Sequence, residues 1–243
     1  MSLLTICQDA ANEVGVVPPT VVVGNTEALS RQFLRLAKKV GLRLMKAYPW
    51  KVLRSEQTFT AVAAQEQTSI LPSDFDRFVP ETFWDRDNNY LISGPVSAVE
   101  WQGFQANGYT DPQKKFIHRG TSIYVMPAPD GGETLAFEYV SKNWCQDVNS
   151  TAQANWENDT DTAIIDEELI TRGLVWEYLT ARSLPANAAA ASYETYFETL
   201  IENDEPNSKI LVAGDIFAGG PNSVGGSRHF SGTPTVSGSE SVA

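Results

Sequence analysis

Asp159-Thr-Asp-Thr-Ala-Ile-Ile-Asp-Glu-Glu-Leu-Ile-Thr-Arg-Gly-Leu-Val-Trp-Glu-Tyr-Leu-Thr-Ala-Arg182, broken at Ser183-Leu184-Pro185 and resumed from Ala186 to Ile201, reads as a helical hairpin. Ile165, Leu169, Ile170, Gly173, Val175, Trp176 and Leu179 keep the three-and-four spacing of a helix with one buried stripe. Asp161 or Thr162 is the expected acceptor for the free N–H groups at its start. Asp166, Glu167 and Glu168 load negative charge where the helix dipole favours it. Pro185 lacks an N–H and suits the first turn of a new helix. That second helix sets Tyr193, Tyr196, Phe197 and Leu200 on one face. The hairpin needs a cover for its apolar faces, and the N-terminal segment is the expected one.

In that segment Leu3, Ile6, Cys7, Ala10, Ala11 and Val14 recur at helical spacing, and Gly15 and Pro18-Pro19 end the run. Asn25 or Thr26 is the expected cap of a second helix reaching Ala47. Leu29, Phe33, Leu36, Val40 and Leu44 fall within an arc of about 80° at 100° per residue. Arg31, Arg35, Lys38, Lys39, Arg43 and Lys46 occupy about 140° on the other side. Such a face is either solvated or a docking surface for an acidic partner, a neighbouring copy or DNA phosphates.

Between the helical regions the texture changes. Strands are expected at 53–62, 67–71, 78–84, 90–92, 115–118, 122–125 and 134–140, with turn residues between them and a short helix over 95–106. The expected fold is α+β: N-terminal helices (1–52) and a C-terminal helical hairpin (146–204) forming a bundle, with a small antiparallel β domain (53–145) inserted. Residues 205–243 are expected as an extended arm. Its end, 219–243, is rich in Gly, Ser, Pro and Thr and buries too little to fold alone. Ile216, Phe217 and Phe230 are its candidate docking anchors, whether the segment is disordered or orders against a neighbour.

Composition narrows the function classes. The 243 residues carry a net charge of −12, which opposes general binding to duplex phosphates. Cys7 and Cys145 are the only cysteines, so a reducing compartment is expected and no disulfide framework. No signal peptide or membrane span is visible, and the expectation is a soluble intracellular protein. The phosphate-loop, dinucleotide, nucleophile-elbow and zinc-protease signatures are missing. His118 and His229 are the only histidines, so a histidine triad or zinc site is not expected. Asn158-Asp159-Thr160-Asp161 opens like a calcium loop but lacks its central Gly and closing Glu. Asp74, Asp76 and Glu81 lie among Phe75, Phe78 and Phe83, which marks them as turn residues rather than an acid–base set. The six tryptophans, Trp50, Trp84, Trp101, Trp144, Trp156 and Trp176, are spread as core residues are. Neither catalysis nor a cofactor nor a metal is expected.

The order of features resembles a known family. A short first helix, a Gly-Pro break and a basic helix ending in Tyr48-Pro49-Trp50 lead to the strand Glu56–Phe59 and to Leu71-Pro-Ser-Asp-Phe-Asp-Arg-Phe78. Lys115-Phe-Ile-His-Arg-Gly-Thr-Ser-Ile-Tyr-Val125 and the Asp159 run entering Leu169, Ile170 and Trp176 follow. This is similar to the head-to-tail adaptor proteins of tailed bacteriophages, in the group that includes tail tubular protein A of short-tailed phages. The resemblance implies a structural virion protein, assembled in the host cytoplasm and without an active site. It implies a ring, usually of twelve copies, beneath the portal protein. Such a ring extends the DNA channel without binding DNA specifically and supports the next tail component. Two other classes remain as alternatives. One is a monomeric ligand- or carbohydrate-binding domain with Trp84, Tyr90 and Trp101 in a cleft. The other is an enzyme built on Asp74, Asp76 and Glu81.

Overall fold

Ser2 opens the first helix, α1 (Leu3–Glu13), by accepting from the Thr5 N–H at 3.3 Å. The helix ends before Gly15, whose φ of +72° is open to glycine at no steric cost. The second helix, α2 (Ala28–Ala47), begins after an Asx turn in which Asn25 Oδ1 accepts from the Glu27 N–H at 2.9 Å. Asn25 therefore shapes the approach, and Glu27 holds the cap position without a side-chain bond. The expected cap at Asn25 or Thr26 is corrected accordingly. Phe33, Leu36, Val40 and Leu44 are buried, as the apolar arc predicts. The computed structural model describes residues 1–204, which form one unit. The expected arm and its anchors Ile216, Phe217 and Phe230 lie outside the described residues.

The β region is antiparallel. Its strands are β1 (Arg54–Thr60), β2 (Glu66–Gln67), β3 (Phe75–Phe78), β4 (Trp84–Asp85), β5 (Tyr90–Leu91), β6 (Lys115–Arg119), β7 (Ser122–Met126) and β8 (Thr134–Ser141). Central β8 pairs β1 on one side and both β3 and β4 on the other, with β5 beyond β4. A second sheet runs β2-β7-β6. Phe83, Phe116, Phe137 and Tyr139 are buried in this region's own core, with rings 4.9 to 6.3 Å apart. Two expected strands are corrected. The run at 78–84 is split by Pro80 and by Glu81 at φ +60°, so Phe75–Phe78 and Trp84–Asp85 pair separately with β8. The run at 67–71 stops at Gln67, which pairs with Ile123 of β7, and Ser69 at φ +54° then breaks the extended backbone. The short helix α3 (Ala98–Asn107) is fixed by a capping box between Ser97 and Glu100. Its own Trp101 points inward and is only 1% exposed.

Beyond β8 come three two-residue strands that periodicity does not reveal: β9 (Cys145–Gln146), β10 (Ala152–Gln153) and β11 (Thr162–Ala163). The helix α4 (Glu167–Ala181) starts later than its sequence predicts. Asp166, not Asp161 or Thr162, caps it by accepting from Leu169 N–H at 2.8 Å. Asp161 accepts from the N–H groups of Glu157 and Asn158 at 2.7 and 2.8 Å, and Thr162 enters β11. The last described helix is α5 (Asn187–Asp204). Helix α4 packs against α1, α2 and α5 around one core that includes Leu3, Ile6, Phe33, Val40, Leu174 and Tyr178. Trp144 and Trp156 meet edge to face in this core at 4.9 Å. Gly173 lets α2 and α4 close: a Cβ there would lie 2.7 Å from Val40 Cγ1.

Candidate functional site

Helical periodicity puts six cations on one side of α2, and the fold divides them. Arg31 and Arg35 are exposed and Lys38 is half-buried; among the described residues none of the three makes an ion pair. The other three are engaged within the chain. Lys39 Nζ donates to Glu177 Oε2 at 2.6 Å, and Arg43 Nη1 donates to Glu177 Oε1 at 2.5 Å. The Arg43 guanidinium also lies over the rings of Trp176 and Tyr193, 4.6 and 5.1 Å from their centroids. Lys46 pairs with Asp76, which also accepts from Arg77. The basic side of α2 is therefore not uniform: Lys39, Arg43 and Lys46 bind α2 to α4 and to β3. Glu177 and Asp76 escape notice in the sequence because they are 138 and 30 residues from their lysine partners. A helical wheel counts charges on one element and is blind to what packs against it.

The carboxylates near the chain's aromatic turn do not act together. Asp74 accepts from the Tyr139 hydroxyl at 3.1 Å, Asp76 serves Lys46 and Arg77, and Glu81 is exposed. Asp159 is equally occupied. Its two oxygens accept from the Val22 and Val23 N–H groups at 2.7 to 3.2 Å and brace the α1–α2 loop. With Asp161 also bonded to backbone, the calcium-loop carboxylates face protein donors. Among the described residues no group of three or more His, Cys, Asp or Glu is placed to hold a metal ion. No helix of the described residues is long and apolar enough to cross a membrane.

Two buried features are chemically quiet. Burial pushes the thiols of Cys7 and Cys145 up to about 12, with Asp159 adding to it at Cys7 and Asp161 at Cys145. Lys114 lies between Asp85 and Glu133 at 3.4 Å from each, all three nearly sealed from water. Burial raises both carboxyls, but hydrogen bonds from Asn88 to Asp85, and from 130–131 backbone to Glu133, outweigh it together with the ammonium. Both carboxyls end below their usual range.

One open groove of about 350 Å³ lies on the β1–β8–β4 face, lined by Glu56, Glu81, Thr82, Trp84, Arg86 and Glu138 among others. Trp84 is 45% exposed there, which corrects its expected place in the core. Tyr90 does not line this groove and Trp101 is sealed, so the three aromatics proposed for a ligand cleft do not converge.

These arrangements define an α+β protein whose internal charges serve architecture and whose outward features are surfaces. The chain belongs to the SU10 adaptor protein family, whose model matches residues 1–212. No curated protein matches the chain. The protein is a bacteriophage adaptor, a structural component of the virion that works with other head and tail proteins.

Proposed function

We propose that this chain is a head-to-tail adaptor that forms a ring, of twelve copies, under the portal protein, in the manner of tail tubular protein A of short-tailed phages. The ring extends the DNA channel and offers a platform to the next tail component. The observation that carries this reading is the family match, which spans the helical elements and the β region alike. Charge supports it: at −12 per copy, a ring presents DNA with a repulsive wall past which the genome slides without sticking. In this reading α1, α2, α4 and α5 form the bundle at the base of each copy. Residues 205–243 are the arm that docks, with Ile216, Phe217 and Phe230 as anchors. Assembly takes place in the host cytoplasm. Electron microscopy of the portal of the same phage, with and without this protein, tests the placement. Added ring density coaxial with the portal is expected; portal particles unchanged by a large excess of the chain would overturn it.

A further inference from the structure

We propose that Arg31, Arg35 and Lys38 of one copy dock into the Trp84 groove of a second copy of this chain, and that this head-to-tail contact, repeated, closes the ring. The inference rests on the ring reading above and names the surfaces that build it.

The cationic half is defined by what it lacks. Lys39, Arg43 and Lys46 have carboxylate partners in their own chain, whereas Arg31, Arg35 and Lys38 have none among the described residues. Leu42, 39% exposed, adds an apolar contact to the same side of the helix. Arg31 and Arg35 stand about 22 and 16 Å along α2 from Lys46, at a rise of about 1.5 Å per residue. Lys46 marks the turn where α2 meets its own β region through Asp76. The unpaired cations therefore lie toward the far end of the helix.

The groove has the complementary deficit. Glu56 and Glu138 stand directly opposite each other in the β1–β8 register, a like-charge pair that costs energy unless a cation joins it. Arg86 answers Glu56 with a 2.7 Å bond from Nη2. Glu138 and Glu81 have no ion pair among the described residues. Trp84 is opposite Ala136, so its neighbour on β8 is small and nearly half of the residue is open. An exposed indole beside free carboxylates suits a planar guanidinium, which stacks on the ring and bonds a carboxylate with two donors. Arg86 shows that the groove accepts one guanidinium already. The occupant is a second copy because one chain carries both halves, unmatched and opposite in sign. DNA would take the cations and leave the groove empty. The halves are different surfaces, so the contact is heterologous, the type that generates rings.

The test uses full-length chains and sedimentation velocity across a concentration series. Reversing one half (Arg31→Glu with Arg35→Glu) or the other (Glu81→Lys with Glu138→Lys) is expected to raise the concentration for half-assembly by more than about tenfold. An equimolar mixture of the two variants should assemble like the wild type, because alternating copies present only matched faces. Circular dichroism checks that each variant is folded. Should a reversal variant not fold, the single chain Arg35→Cys with Glu81→Cys replaces it, treated with a bis-maleimide linker. The native thiols are buried and stay silent, so a ladder of linked multimers is the expected result. Variants that assemble unaltered, a mixture that stays dispersed, or only intramolecular linkage would overturn the contact. So would a wild-type chain that is monomeric throughout, and portal binding then judges the adaptor reading separately. Loss of portal binding with assembly intact would assign these faces to the portal and also overturn it.

Discussion

Arg43 and Glu177 meet across the α2–α4 boundary at 2.5 Å, and the guanidinium is flanked by Trp176 and Tyr193. Glu177 is 6% exposed, so its charge is balanced by Arg43 and Lys39 rather than by water. Removing one partner of such a pair strands the other, and that costs more than the pair contributes. Glu177→Ala is expected to destabilise the fold by about 3 kcal/mol in urea titrations. A change below about 1 kcal/mol would mean that the pair behaves like an exposed one.

The same relationship shows what the sequence could and could not reveal. The helices were legible because Leu3 to Val14, Phe33 to Leu44 and Ile165 to Leu179 repeat at helical spacing, a property of each segment alone. The strands 54–60, 115–119, 122–126 and 134–141 were legible as runs bounded by turns. The two-residue strands β9 to β11 were not, since two residues have no period. The start of α4 was misplaced because Asp161 and Asp166 are both good cap residues, and only backbone position selects between them. Arg43 and Arg31 look alike on a helical wheel. They differ in what α4 brings to one of them, and that is long-range information.

Gly41 is buried in α2 with the Trp144 ring against it, so a methyl group there would overlap the indole. Alanine favours helices over glycine by about 1 kcal/mol. Overpacking a sealed ring costs about 1–3 kcal/mol and is the larger effect. Gly41→Ala should therefore lower the melting temperature. An unchanged or higher value would show that Trp144 moves aside freely.

Lys114 holds two buried carboxylates in the β region. Lys114→Met should cost about 3–5 kcal/mol by leaving Asp85 and Glu133 uncompensated. In the wild type both carboxyls sit below their usual range, so their stabilisation is complete above the unfolded carboxylate value. It is lost as pH falls through the folded values. Acid titration of the variant should show a weaker loss of stability than the wild type, and identical acid profiles would contradict this.

Cys7 and Cys145 should resist iodoacetamide at neutral pH in the folded chain and both react in denaturant, as read by intact mass. With folded values raised to about 12, the neutral thiols favour the fold fully below the usual thiol value. That contribution falls away as pH rises toward about 12. Rapid labelling of either thiol under native conditions would place it nearer the surface than its burial allows.

The adaptor account stands most directly on the solution mass of the full chain, measured by light scattering alone and after mixing with the portal of the same phage. The account predicts a ring-sized species, formed by the chain itself or only on the portal, which also separates self-assembly from templating. A strict monomer that ignores the portal would contradict it.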